Sequence, residues 1–131
     1  MKKEILNNLI DKLYDYKGQK AYACDLAYTL FESYNMDGSI TYSTHNAKEW
    51  IKKYFDELGE VVEEIKFNLG SEFIPNIFDE PEKFMVVIYL EVGASLLSQC
   101  KFIDDNWNDE IELTNENIEI IKKELEMLEN E

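Results

Sequence analysis

Apolar residues recur along most of this chain at the three- and four-residue spacing of an α-helix. Ile5, Leu6, Leu9, Ile10 and Leu13 line one face of a first predicted helix that ends near Gly18. Ala23, Leu26, Ala27, Leu30, Phe31 and Tyr34 mark a second, stopped by the turn sequence at 35–38. The segment 39–42 reads as a short extended piece. Asn46 followed by Glu49 fits a capping box, and Trp50, Ile51, Tyr54, Phe55, Leu58, Val62, Ile65 and Leu69 carry the helical period to about Gly70. Gly59 lies inside that run, where it is placed to bend or split it. Asp79, Pro81 and Glu82 read as a cap, a first-turn proline and a capping-box acid.

The helix predicted from about 81 to 101 is apolar almost all round, with Phe84, Met85, Val86, Val87, Ile88, Leu90, Val92, Leu96 and Leu97. A helix without a polar face has to be wrapped by others, which makes it the central member. Thr114 then caps a last helix bearing Ile118, Ile121, Leu125 and Leu128. The expected fold is all-α: one domain over 1–131, a bundle of about five helices around the central apolar helix 81–101.

Composition narrows the class. At 45% hydrophobic and 13% aromatic residues, the chain is too apolar for a disordered acidic tail. Its longest apolar run, 84–90, is far short of a bilayer span, so no membrane role is expected. Cys24 and Cys100 sit in apolar patterns rather than a metal or redox motif; buried thiols in a reducing compartment are expected, with a disulfide between them left open. Charge changes the picture more. The net charge is −15, every base is a lysine, and residues 54–131 hold 21 acids against 5 lysines. Such a surface repels nucleic acid and anionic membranes and attracts basic protein surfaces.

The acids concentrate in the stretch 102–113, where Asp104, Asp105, Asp109, Glu110 and Glu112 surround Trp107. Asp104, Asn106, Asn108, Glu110 and Glu112 alternate as EF-hand ligands do. Asp109 stands where the sharp turn needs glycine, however, and Asn115 where the bidentate glutamate belongs, so calcium binding is not expected. A second acidic set lies on one face of the helix at 56–65, with Glu57, Glu60 and Glu64 at i, i+3 and i+7 and Glu63 beside them. Clustered carboxylates of this kind can hold Mg²⁺.

Other constellations are missing. His45 is the single histidine, which leaves no zinc cluster and no histidine proton relay. No glycine-rich phosphate loop occurs, and the absence of arginine argues against phosphoryl clamps. Binding rather than catalysis is therefore expected. Eight tyrosines, seven phenylalanines and two tryptophans among acids are what a protein-binding surface uses, as apolar anchors inside a charged rim. Carboxylates spaced along helices also imitate nucleic-acid phosphates toward a basic groove.

Two resemblances bear on function. Glu60-Val-Val-Glu63, with Glu82 opening the later apolar helix, resembles the ExxE and ExxD pairs of the MazG-type all-α nucleotide pyrophosphohydrolases. That likeness implies a Mg²⁺ site of Glu57, Glu60, Glu63 and Glu82, although Met85 stands where the family's aspartate belongs. The segments 39–61 and 81–97 are similar to small acidic proteins of phages and plasmids, inhibitors of host defence and anti-CRISPR proteins among them. That second resemblance implies a cytoplasmic binder in a bacterial host, whose partner is a basic, nucleic-acid-handling protein such as a CRISPR effector or another defence nuclease. It implies no cofactor and no direct binding of nucleic acid. The partner-facing residues are expected to be Asp104, Asp105, Trp107, Asp109, Glu110 and Glu112, supported by Glu116 and Glu119. The pyrophosphohydrolase and a homodimeric helical scaffold are the alternatives.

Overall fold

The computed structural model describes residues 1–36, 44–70 and 76–129. The predicted extended piece at 39–42 and the second half of the predicted turn at 35–38 lie outside these residues. The described chain is all-α apart from one small ribbon. Seven α-helices are described: α1 (Lys2–Asp15), α2 (Leu26–Met36), α3 (Thr44–Lys53), α4 (Phe55–Leu69), α5 (Pro81–Ser98), α6 (Lys101–Asp105) and α7 (Asn115–Glu129). Two strands, β1 (Lys20–Tyr22) and β2 (Glu110–Glu112), pair antiparallel.

Helix α1 buries Ile5, Leu6, Leu9 and Leu13, the stripe its periodicity predicts. It ends at Tyr16, and Gly18, at φ +90°, reverses the chain. A side chain at this φ is strained, so glycine suits the position. The Gly18 N–H then donates to the Leu113 carbonyl at 2.8 Å, so the helix stop is also the first rung of the ribbon. A single 3₁₀ turn, Ala23–Asp25, precedes α2. The predicted helix begins one turn late because the Ala23 and Cys24 N–H groups donate across to Asp109 and Trp107 carbonyls.

Three expectations are corrected. The long helix predicted to about Gly70 does break, but at Tyr54 (φ −110°, ψ 20°) and not at Gly59, which sits exposed within α4. Asn46 lies inside α3 rather than capping it, since α3 begins at Thr44. Likewise the N-cap of α5 is Glu80, not Asp79; Pro81 occupies the first turn as predicted, and the preceding loop is held by Asn76 Oδ1, which accepts from Phe78 and Asp79 N–H. Thr114 does cap α7, its hydroxyl accepting the Asn117 N–H at 3.1 Å.

Helix α5 is the hub, packed against each of the six other α-helices. Phe84, Met85, Ile88, Tyr89, Val92, Leu96 and Leu97 are buried around it. Each fully buried Ile or Leu contributes roughly 1.5–3 kcal/mol of transfer free energy. Gly93 sets the closest approach: a Cβ there would lie 2.7 Å from Phe31 Cε2 and 3.6 Å from Leu9 Cδ2. Beside it, Phe31, Trp50 and Tyr54 join Tyr89 in a chain of ring contacts at 5.5–5.6 Å. The Glu4 carboxylate closes this cluster on the α1 side, accepting from Tyr54 O–H at 2.6 Å and Tyr89 O–H at 3.1 Å.

Two predictions follow from this packing. Gly93→Ala should lower stability in urea titrations, because overpacking costs of about 1–3 kcal/mol exceed the roughly 1 kcal/mol helix gain. Gly59→Ala, which meets nothing within 4 Å, should raise it by about 0.5–1 kcal/mol; equal effects at the two sites would contradict the packing described. The hydrogen bond to Glu4 also raises the Tyr54 phenol above its ordinary 10.0, so the folded state holds that proton more tightly than the unfolded chain. The stabilisation is complete below pH 10 and falls as pH rises through the folded-state value. Thermal melts from pH 8 to 11 should show a steeper alkaline loss in the native protein than in Tyr54→Phe.

Candidate functional site

The acidic stretch is three kinds of structure in succession. Its first part is α6, a turn covers 106–108, and β2 follows. The alternating EF-hand-like positions are therefore divided among helix, turn and strand. Within β2 the alternation belongs to a strand: Glu110 and Glu112 are exposed and Ile111 is buried. The register places Lys20 opposite Glu112, Ala21 opposite Ile111 and Tyr22 opposite Glu110. The outer face of the ribbon thus carries Lys20, Tyr22, Glu110 and Glu112.

Backbone bonds beyond the strands fasten this stretch at both ends. Leu113 N–H donates to Gln19 at 2.8 Å, Ala23 N–H to Asp109 at 3.0 Å and Cys24 N–H to Trp107 at 3.1 Å. Helix α6 is held from α7, where the Glu124 carboxylate accepts the Phe102 N–H at 3.0 and 3.3 Å from its two oxygens. Cys100, just before α6, is buried, and that burial with help from Glu124 pushes its thiol up to about 12. Both cysteines are free, and Cys24 is only half-buried.

Asp104, Asp105, Asp109, Glu110, Glu112 and Glu116 all face solvent. Among the described residues none of them lies within ion-pairing distance of a basic group. Glu119 is different: it accepts a hydrogen bond from Tyr14 of α1, which raises the Tyr14 phenol, with Lys122 5.8 Å from that ring. Its carboxylate serves the α1–α7 junction. Trp107 is 41% exposed and lines a groove between α4 and α5.

That groove, about 370 Å³, was not anticipated from the pattern of residues. Helix α4 contributes Val61, Glu64 and Ile65, which share one face at i, i+3 and i+4. Helix α5 contributes Glu91, Ser95 and Ser98, Gln99 follows at its C-terminus, and Lys2 stands at the α1 side. Tyr28 of α2 donates its hydroxyl to Glu91 Oε1 at 3.1 Å; burial and then the Glu91 charge raise the Tyr28 phenol. A signal for the α5 face was present, since Glu91, Ser95, Ser98 and Gln99 fall at i, i+4, i+7 and i+8. The apolar bulk of the rest of the helix masks it.

The carboxylates of the pyrophosphohydrolase alternative do not assemble. Among the described residues no three His, Cys, Asp or Glu side chains are grouped so as to hold a metal ion. Glu57 pairs with the Met1 amino group at 3.2 Å, Glu63 approaches Lys66 at 3.8 Å, and Glu60 faces solvent. Glu82 lies in the first turn of α5, whereas α4 meets the groove beside the C-terminal half of that helix. Met85, at the family's aspartate position, is buried core.

The described residues thus form an all-α bundle carrying an exposed acidic ribbon and a groove between α4 and α5. Comparison with protein-family models, curated proteins and solved structures found no match for the chain.

Glu124 supports the frame on which Trp107 and the acids sit. Glu124→Ala should destabilise the protein by about 1 kcal/mol, the magnitude of a lost cap. Amide exchange should accelerate at Phe102 and its neighbours in α6; unchanged protection there would show that another group holds the helix.

Proposed function

We propose that this chain is a non-catalytic acidic binding protein that occupies a basic, nucleic-acid-gripping surface of a partner protein. The observation that supports this most directly is the run of exposed, unpaired carboxylates from Asp104 to Glu116 on a backbone-fastened frame. A free surface acid usually loses little by being solvated. A fastened row of acids, however, presents charge to a basic groove without first paying the entropy of ordering a loop. Carboxylates stand in for phosphates, the net charge of −15 steers encounter, and half-exposed Trp107 supplies an apolar anchor. The resemblance to small phage proteins directs the choice of partner to bacterial defence nucleases, CRISPR effectors first.

The test is competition. A panel of purified CRISPR effectors and other DNA-binding nucleases is assayed for DNA binding with and without the protein, at low and high salt. Inhibition of at least one, weakening as salt rises, is expected. The triple change Asp105→Lys, Asp109→Lys, Glu112→Lys should abolish it with the circular-dichroism spectrum and melting temperature little changed. Inhibition that survives the triple change would sink this assignment of the surface.

A further inference from the structure

We propose that the groove between α4 and the C-terminal half of α5 binds an aliphatic ammonium group, carried either by a free polyamine or by a lysine side chain. The proposal rests on the groove's own chemistry and shares only Trp107 with the proposed partner surface. Its volume of about 370 Å³ falls within the range of small-ligand sites.

Two carboxylates line it from different helices, Glu64 of α4 and Glu91 of α5. Among the described residues neither is ion-paired. The Tyr28 hydroxyl occupies Oε1 of Glu91, which orients the carboxylate and leaves Oε2 to accept from a ligand. Ser98 O–H and Gln99 Nε2 both donate to the Ser95 carbonyl, at 2.8 and 3.1 Å. Ser98 is left with its acceptor oxygen, and Gln99 with its Oε1 acceptor and one N–H. An ammonium group, with three N–H donors and no acceptor, is the complement of such a lining. Val61, Ile65 and the Trp107 indole add apolar wall for a methylene chain, and the indole can meet the cation with its face. A divalent metal fits less well, because no three ligating side chains are grouped among the described residues. Lys2 at the α1 side repels a cation and limits how far the ligand extends.

Isothermal titration at low salt, using spermidine in one arm and N-acetyl-lysine methylamide in the other, tests this. Saturable binding of at least one is expected, and the tighter of the two identifies the source of the ammonium. Glu64→Gln with Glu91→Gln, which keeps an acceptor for Tyr28, should weaken binding at least tenfold. Glu110→Gln with Glu112→Gln removes the same charge from the ribbon and should leave it within twofold. Trp107→Ala should weaken it about two- to fivefold, and Lys2→Gln should tighten it. Absence of binding in both arms at millimolar ligand overturns the proposal, as does equal loss in the two charge-matched variants, which would mean diffuse attraction and no site.

Discussion

Everything in this molecule depends on covering α5. Its side chains are apolar around nearly the whole circumference, and water is excluded only if other helices surround it. Six α-helices drawn from both ends of the chain do so. At Gly93 that enclosure leaves no room for a side chain, with Phe31 and Leu9 against bare backbone. At Tyr89 the helix places a phenol among aromatic rings and gives its hydrogen bond to Glu4, so one polar network ties α1, the junction of α3 and α4, and α5. Trp50 sits within it by packing alone, since its buried indole N–H has no partner among the described residues.

The coat thins toward the C-terminal end of α5. There the outward face carries Glu91, Ser95, Ser98 and Gln99, residues that do not demand burial, and α4 and the α6–β2 turn lean over it without closing. The groove is thus the place where the central helix stops being apolar on every side. The same end of the fold holds the acidic stretch, because α6 follows α5 after Gln99 and Cys100 and has little choice of position.

A short ribbon turns this stretch from a loop into a display. Three residues of β2 add little burial, but their ladder with β1 and the bonds flanking it hold the backbone from Trp107 to Leu113. Ile111 and Ala21 anchor its inner face, and alternation then forces Glu110 and Glu112 outward. Concentrating negative charge in one part of the chain repels itself and lowers stability. Exposure to solvent moderates that repulsion, and the lysine facing Glu112 across the ladder reduces it locally.

Much of this was legible in the residues. Helical periodicity located α1, α2, α5 and α7, the all-round apolar helix marked itself as central, and Thr114 announced its cap, because these features arise within a few residues of one another. The exposed acids were legible too, but the strand was not predicted: the alternation of Glu110-Ile-Glu-Leu113 was weighed only as that of a metal loop, and the pairing with Lys20–Tyr22, some ninety residues away, is what makes it a strand. The break at Tyr54 left no mark, because Trp50, Ile51, Leu58, Val61 and Ile65 stay in phase across it; the Tyr54 hydroxyl at the bend donates to Glu4, fifty residues away. The groove joins α4, α5 and Trp107, and the commitment of Glu119 to Tyr14 joins α7 to α1. Local pattern determined most of the helical segments and the buried faces of α1, α2, α5 and α7, but not α6 or the division between α3 and α4. Which carboxylates stay free and which side chains share a cavity depended on contacts between residues far apart in the chain, and those exist only once the core around α5 has formed.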